Sequence, residues 1–203
     1  MIRLEKDGAV WVAILDRPEK ANALTKAMLT DLADIAEDAT GKAQTLILTG
    51  SGKVFSAGMD LAAAKAGLAS DPVWERLSGV LIRAPYMSIA ALNGTLAGGA
   101  FGMALACDLR ICVSSAQFFY PVMKLGFLPQ PSDPARMAAL VGAARAKMIL
   151  MAGQKILAKE ALDWGLVQRI TAPEDLLDTA RMLAADTLVA TPEHSAAIKA
   201  LIP

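Results

Sequence analysis

The sequence has few of the residues that build disulfides, metal sites and cysteine- or histidine-based catalysis. Its 203 residues include two cysteines, Cys107 and Cys112, and one histidine, His194. Neither cysteine lies in a CxxC pattern or beside a histidine, so we expect two buried, inert thiols and no disulfide framework. We predict no metal site. His194 follows Thr191, Pro192 and Glu193 at the start of the last predicted helix, which favours a surface position over a general base.

An excess of charge and a long apolar run are also missing. Twenty basic and twenty acidic side chains cancel, so no overall field attracts nucleic acid or an anionic membrane. The most apolar segment, 95–107, falls short of the roughly 20 residues that span a bilayer, and we predict a buried helix there. Residues 1–8 alternate apolar and charged side chains, which indicates a strand rather than a secretory signal. We expect a cytoplasmic protein with no nucleic-acid or membrane partner.

Hydrophobic residues make up 55% of the chain, enough for a sizeable core. Apolar runs alternate with helical periodicity and turn residues, which predicts a mixed α/β domain. We predict one core over residues 1–142 and a helical C-terminal region over 143–203.

The predicted strands cover 9–15, 45–50, 87–92, 109–113, 117–120 and 166–170. One predicted helix begins after Thr25. The other predicted helices cover 72–81, 98–106, 134–141, 143–151, 158–164 and 173–188. Residues 53–64 are predicted to form a loop.

Two segments rich in glycine and small residues are candidates for ligand contact. Residues 54–61 follow a buried strand, and residues 96–100 open a helix, where unpaired N–H groups favour negative charge. Either segment alone is explained by close packing of glycine. Together, the two segments could build one anion site.

Four stretches of the chain, in order, resemble the crotonase superfamily, also called the enoyl-CoA hydratase/isomerase family. The first is LDRPEKANAL at 15–24, and the second is LTGSGKVFSAGMDL at 48–61. The third runs from Asn93-Gly94 through Gly98-Gly99 to ALACDLR at 104–110, and the fourth is ALDWGLV at 161–167. The resemblance implies an α/β spiral of β-β-α units with a helical C-terminal appendage.

The resemblance also implies a substrate and a binding site. The substrate would be an acyl-CoA thioester, so CoA is part of the substrate and no separate cofactor is expected. The backbone N–H groups of Met59 and Gly99 would hold the thioester oxygen of an enolate. The residues that match CoA-cradling segments are Lys20, Ala21, Ala23, Ser56, Ala57, Asp60 and Leu61. A homotrimer or a dimer of trimers is expected. Relatives commonly continue beyond the helix that matches 191–201, whereas this chain stops at Pro203, which leaves room for a different oligomer.

Two positions depart from the family pattern. Hydratases of the family carry a glutamate three residues beyond the oxyanion glycine and another after the proline of an FGxPE segment. Here these positions hold Gly102 and Val122, and neither side chain can transfer a proton. We therefore expect an acyl-CoA isomerase or lyase, or other non-hydratase chemistry, in fatty acid metabolism. The alternative is a noncatalytic acyl-CoA-binding or assembly subunit.

Asp133 and Tyr120 are the candidate substitutes for the missing acid and base. The sequence Ser132-Asp133-Pro134 also favours a helix start, with Asp133 as the N-cap. Tyr120 also suits a core or pocket-lining position, and strand alternation predicts that it shares a face with Val122.

Three other polar residues are assigned no part in the chemistry. Glu75 and Asp71 are interpreted as a solvated helix face or a cap. Ser56 has neither a nucleophile elbow nor an assigned base, so we predict no serine hydrolase triad.

Overall fold

The computed structural model describes residues 1–202, which form two β-sheets with helices packed around them. The strands are β1 Ile2–Asp7, β2 Val10–Leu15, β3 Thr45–Gly50, β4 Val54–Ser56, β5 Met87–Leu92, β6 Thr95–Ala97, β7 Leu109–Val113, β8 Gln117–Phe119, β9 Ile156–Leu157 and β10 Arg169–Thr171. The α-helices are α1 Lys26–Asp38, α2 Leu61–Lys65, α3 Val73–Arg83, α4 Phe101–Ala106, α5 Val122–Leu125, α6 Asp133–Val141, α7 Ala143–Leu150, α8 Ala158–Asp163, α9 Leu176–Leu183, α10 Ala185–Val189 and α11 Pro192–Ala200. Short 3-10 turns cover Pro18–Lys20, Leu68–Ser70 and Gly98–Ala100.

The larger sheet has the strand order β1-β2-β3-β5-β7-β10, and the smaller has the order β4-β6-β8-β9. In the larger sheet β1 is antiparallel to β2, and every other neighbouring pair is parallel. All six residues of β2 are buried, as are five of the six in β3. Parallel strands that are covered on both faces have continuous apolar sequences, so the apolar runs at 9–15 and 45–50 predicted β2 and β3 well.

The chain alternates between the two sheets as it advances. β3, β5 and β7 enter the larger sheet, and each is followed by a strand of the smaller sheet, β4, β6 or β8, and then by helix. This arrangement confirms the predicted mixed α/β spiral of β-β-α units.

Successive turns of the spiral are joined by Asn93. Its side-chain oxygen accepts a hydrogen bond from Gly50 N–H at 3.0 Å, and its amide nitrogen donates to Gly52 O at 3.0 Å. These bonds tie the turn after β5 to the turn after β3.

Helix α1 begins as the sequence predicts. The Thr25 side chain accepts a hydrogen bond from Met28 N–H, and Met28, Leu29 and Leu32 are buried on one face. The helix packs against α3.

The differences from the sequence prediction lie in short elements. Residues 53–64 are not only a loop, because they contain β4 and α2. The predicted helix over 98–106 starts as a 3-10 turn, and that over 173–188 is divided into α9 and α10. Strands of three residues are too short to show a period.

The C-terminal region contributes to both sheets. β9 pairs antiparallel with β8, and β10 pairs parallel with β7, so residues after 142 supply an edge strand to each sheet. The division at residue 142 stays a prediction, and Pro203 lies outside the described residues. Within residues 1–202 no helix is both long and apolar enough to cross a membrane. The apolar segment 95–107 is almost entirely buried, as β6, the 3-10 turn and α4.

We expect Gly94→Ala to destabilise the fold severely. A Cβ at Gly94 would lie 2.0 Å from the backbone oxygen of Lys53, and backbone cannot move aside as a flexible side chain does. The expected loss is about 3 kcal/mol or more in the free energy of unfolding, measured with urea. Gly41→Ala is the control, because its φ of +75° is strained while nothing lies within 4 Å, and about 1 kcal/mol is expected. Equal losses would contradict the packing argument.

Candidate active site

Two backbone loops touch at Gly58 and Gly98. A Cβ at Gly58 would lie 2.8 Å from Ala97 O and 3.4 Å from the Cα of Gly98. The φ angles of Gly58 and Gly98 are +92° and +54°, in the left-handed region that favours glycine. Only residues without a side chain let the loops approach this closely, and the next residue along each loop is Met59 or Gly99.

The N–H groups of Met59 and Gly99 are both unpaired within residues 1–202. Met59 pairs with Leu24 in a parallel bridge, in which Leu24 N–H donates to Gly58 O at 2.7 Å and Asp60 N–H donates to Leu24 O at 2.9 Å. Successive peptide groups of an extended chain point to opposite sides, so the N–H of Met59 faces away from Leu24.

Gly99 lies in the 3-10 turn that leads into α4, where the first N–H groups lack intrahelical acceptors. Both Met59 and Gly99 are partly exposed. The contact between Gly58 and Gly98 therefore places two free, accessible donors on adjoining loops, an arrangement that can bind an anionic oxygen.

The side chain of Ser56 is committed to holding the first of these loops. The residue is fully buried, and its hydroxyl donates to Asn22 O at 2.8 Å while accepting from Gly58 N–H at 3.1 Å. Two hydrogen bonds within the protein leave this hydroxyl a structural role.

The Asp60 carboxylate is committed in the same way. One oxygen caps α2 by accepting from the first amides of that helix, and the other accepts from Arg17 Nη1 at 2.8 Å. The hydrogen bond from the Arg17 guanidinium and those from the helix amides hold the pKa of Asp60 below its usual range.

The other residues matched to CoA-cradling segments lie in two stretches of the chain, 20–23 and 57–61. Ala57 N–H donates to Ala21 O at 2.9 Å, which joins the segment around Ala21 and Ala23 to the segment that ends at Leu61. Lys20, Ala57 and Leu61 are exposed, and Ala21 and Ala23 are partly exposed. The structure thus brings these residues together at one accessible edge.

Asp133 is buried against Gly102, and its predicted role as a helix N-cap is wrong. Ser132 occupies the N-cap position, and the Asp133 carboxylate makes no hydrogen bond to the first amides of α6. One carboxylate oxygen, Oδ2, accepts from the Tyr120 hydroxyl at 2.9 Å. The other, Oδ1, is buried without a partner and lies 3.0 Å from the position of a Cβ at Gly102. Because Gly102 has no side chain, the Asp133 carboxylate can lie this close to the backbone of α4.

Tyr120 is buried with only 3% of its surface exposed, as the core interpretation predicted. Its ring stacks on Phe101 with a centroid distance of 5.5 Å, and its oxygen also accepts from Gln130 N–H at 3.3 Å. The predicted shared strand face of Tyr120 and Val122 is wrong, because β8 ends at Phe119 and Val122 begins α5.

Glu75 of α3 binds Ser132, the residue at the N-cap position of α6. Its carboxylate accepts hydrogen bonds from both the backbone N–H and the hydroxyl of Ser132. The sequence suggested a cap or a solvated face without identifying this partner. The contact ties the residue before α6 to α3 and brings a second carboxylate near Asp133.

The surroundings of Asp133 favour its protonated form. Burial raises the pKa of Asp133 to about 7, with a further upward contribution from the charge of Glu75, while the Tyr120 hydrogen bond and the charge of Arg136 act in the opposite direction. Burial and the nearby Asp133 raise the pKa of Tyr120 well above its usual range. A carboxyl group with a pKa near 7 can both accept and return a proton at neutral pH, whereas Tyr120 stays protonated.

The remaining polar candidates lie outside this cluster. His194 is exposed, which confirms its expected surface position. Asp71 accepts from Val73 N–H and pairs with Lys26 at 2.7 Å, while Pro72 occupies the N-cap position of α3. Cys107 and Cys112 are buried as predicted, and burial raises the pKa of each thiol to about 12. Residues 1–202 contain no group of three or more metal-ligating side chains.

Comparisons with known proteins identify the family of this chain. Residues 5–202 match the sequence model of the family described as enoyl-CoA hydratase/isomerase. The chain is 37% identical to a carnitinyl-CoA dehydratase from Salmonella arizonae, over 98% of this chain and 78% of the relative. It is 36% identical to a short-chain-enoyl-CoA hydratase from Clostridium acetobutylicum, over 89% of this chain and 72% of the relative. A Thermobifida fusca protein solved in complex with CoA superposes with a TM-score of 0.88 at 30% identity, over 99% of this chain and 83% of that one. The chain belongs to the enoyl-CoA hydratase/isomerase family.

Proposed function

We propose that this protein is an enzyme that acts on an acyl-CoA thioester through an oxyanion-stabilised enolate, by isomerisation or other non-hydratase chemistry. The observation that carries the proposal is the pair of unpaired N–H groups at Met59 and Gly99 on touching loops. The names of the dehydratase and hydratase relatives, and the CoA complex of the Thermobifida fusca protein, support CoA thioesters as the substrate class.

The chemistry of a thioester suits two backbone donors. Removing a proton from the carbon next to the thioester moves negative charge onto the thioester oxygen. A fixed donor aimed at such developing charge contributes roughly 2.7 to 4 kcal/mol to stabilising the transition state. Because backbone supplies both donors, neither requires a particular side chain at Met59.

Asp133 is the group that we assign to proton transfer, with Tyr120 holding one of its oxygens. Gly102 lies three residues after Gly99, so both face the same side at the start of α4. The free Oδ1 of Asp133 lies 3.0 Å from the position of a Cβ at Gly102. A single carboxylate can take a proton from one carbon and return it to another, which is sufficient to shift a double bond.

The coenzyme portion would lie along the exposed edge described above. Lys20 supplies a positive charge suited to CoA phosphates, and backbone groups near Ala21, Ala23, Ser56, Ala57, Asp60 and Leu61 supply the remaining contacts. CoA belongs to the substrate, so no separate cofactor takes part. The homotrimer or dimer of trimers and the cytoplasmic location stay predictions.

We expect Asp133→Asn to reduce kcat by about 10²- to 10⁴-fold, because the amide cannot exchange the proton. The substitution keeps the size of the side chain and an acceptor for Tyr120. Turnover of enoyl- and dienoyl-CoA substrates measures kcat, and calorimetry with a saturated acyl-CoA measures binding, which should persist. Asp163→Asn is the control, since Asp163 is an exposed partner of Lys159 and should be neutral.

The outcomes separate the proposal from its alternative. Unchanged turnover in Asp133→Asn removes Asp133 from the mechanism. Binding without turnover of any substrate by the wild-type protein identifies a noncatalytic acyl-CoA-binding subunit. If no acyl-CoA binds, the proposed substrate class is wrong.

Tyr120→Phe should move the pH dependence of kcat. The Tyr120 hydrogen bond to Asp133 lowers the pKa of that carboxyl, so its loss raises the pKa of Asp133 further. Since the enolate forms only when Asp133 is ionised, the rising limb of the pH–rate profile should shift to higher pH. Phenylalanine keeps the stacking with Phe101, so a purely structural role would lower activity without moving the limb.

The buried Asp133 carboxyl should also make stability depend on pH. Its folded pKa of about 7 exceeds the usual aspartate pKa of 3.8, so its stabilising contribution is complete below pH 3.8 and is lost as pH rises through about 7. Between pH 5 and pH 8 we expect Asp133 to account for a loss of about 2 to 3 kcal/mol in the free energy of unfolding. Urea unfolding of wild type and Asp133→Asn at both pH values measures the difference. The same pH dependence in both proteins would refute the assignment.

A further inference from the structure

Helix α3 contacts both parts of the candidate site through consecutive residues. A Cβ at Gly99 would lie 3.1 Å from Cη2 of Trp74, so the indole packs on the backbone that carries the Gly99 N–H. The next residue, Glu75, accepts hydrogen bonds from Ser132 N–H at 3.1 Å and from the Ser132 hydroxyl. Ser132 immediately precedes Asp133. The first turn of α3 therefore joins the Gly99 amide to the residue that we assign to proton transfer.

The position of Glu75 is fixed by its neighbours. Trp74 is 4% exposed, and its Nε1–H donates to Leu68 O at 2.8 Å, which holds the start of α3 in the core. Both hydrogen bonds from Ser132 end on the Glu75 carboxylate, and hydrogen bonds to a charged acceptor are stronger than those between neutral groups. The carboxylate is therefore held beside the chain that leads into Asp133.

The charge of Glu75 is not neutralised by the cation next to it in the sequence. Arg76 pairs instead with Asp34 at 2.6 Å and with Glu37 at 2.7 Å. Asp133 is fully buried, so water and salt screen little of the repulsion that it receives from a nearby negative charge.

Glu75 is also the only negative charge among the titratable groups on the elements around Asp133. These groups are Tyr120 beyond β8, Glu75 on α3, Arg136 on α6, and Arg145 and Lys147 on α7. Helix α4, which carries Gly102, has none, and Arg145 and Lys147 are exposed. Burial is the main cause of the raised pKa of Asp133, and Glu75 raises it further, while Tyr120 and Arg136 lower it.

We propose that Glu75 is a positioning residue for proton transfer, whose fixed negative charge makes Asp133 a stronger base toward the acyl group. The inference rests on the proposed function, because it takes ionised Asp133 to remove a proton from the carbon next to the thioester and to return it to another carbon. A carboxylate with a higher proton affinity removes that proton faster. Through α3, the same contact fixes the start of α6 relative to the Gly99 N–H.

The test is the pH–rate profile of Glu75→Gln, measured with enoyl- and dienoyl-CoA substrates. Glutamine keeps the size of the side chain and an acceptor for Ser132 N–H, but it removes the charge. The rising limb of kcat should therefore move to lower pH, by about half a unit or more, which is opposite to the direction expected for Tyr120→Phe. The plateau of kcat should fall by roughly two- to tenfold, because Asp133 becomes a weaker base.

Glu160→Gln is the matched control. Glu160 also accepts a hydrogen bond from the backbone N–H of a residue that precedes a helix, Leu157 before α8. It is exposed, and α8 packs on β9 and β10. Removing this charge should leave both the limb and the plateau unchanged, which separates the local effect of Glu75 from a change in net charge.

A folded Glu75→Gln variant whose limb stays at the wild-type pH or moves to higher pH overturns the proposal and leaves the proposed function standing. If the variant folds but turns over too slowly for a profile, urea unfolding between pH 5 and pH 8 locates the titration of Asp133, and an unmoved midpoint overturns the proposal equally. Glu75→Ala is the second variant if Glu75→Gln does not fold, with the same expected direction. Absence of turnover in the wild-type protein instead refutes the proposed function, and the role of Glu75 in proton transfer with it.

Discussion

The contact between Gly58 and Gly98 is the constraint on which the candidate site depends. Their backbones approach so closely that a Cβ on Gly58 would collide with Ala97 O, and the pairing of Met59 with Leu24 directs the next amide away from its own strand neighbour. The hydroxyl of Ser56 fixes the same loop from behind. Glycine conformation and backbone pairing alone position the N–H groups of Met59 and Gly99. Their position therefore does not depend on glutamates at the positions of Gly102 and Val122. The oxyanion geometry and the acid–base groups can therefore change separately.

Gly102 and Asp133 compete for the same space. A Cβ at Gly102 would sit 3.0 Å from an Asp133 oxygen, so a side chain there and the observed position of Asp133 are difficult to combine. The Tyr120 hydroxyl binds Asp133 directly, and Glu75 binds the preceding residue, Ser132. Leaving one carboxylate oxygen buried without a partner is unfavourable for folding. A costly buried group beside a candidate ligand site is a feature typical of functional positions.

Sequence patterns predicted the parts of the structure that are local or strongly apolar. β2 and β3 are continuous apolar runs, and Thr25 caps α1 as expected, whereas β4 and β6 have three residues each and show no period. The resemblance to the family predicted a role for Met59 and Gly99, and the structure places both beside the contact between Gly58 and Gly98.

The acid–base cluster was harder to predict. Ser132-Asp133-Pro134 has the local chemistry of an N-cap, but the Asp133 side chain turns to Tyr120, and Ser132 binds Glu75, which lies 57 positions before it. No local pattern reveals a partner at that separation, nor that Trp74 packs on Gly99. These contacts depend on how the helices stack, and tertiary burial overrides the preference of the short segment.

The polar groups around Asp133 bear on the choice between hydration and isomerisation. A water molecule held for attack on a double bond needs two to four polar partners, and a second group must deliver a proton to carbon. At the two positions where hydratases carry glutamates, Gly102 offers no side chain and Val122 offers a buried apolar one. Tyr120 stays protonated and already donates its proton to Asp133, so a single free oxygen, Oδ1, remains for chemistry. Moving one proton between two carbons of a substrate requires one such oxygen and no ordered water, which is why we propose isomerisation rather than hydration.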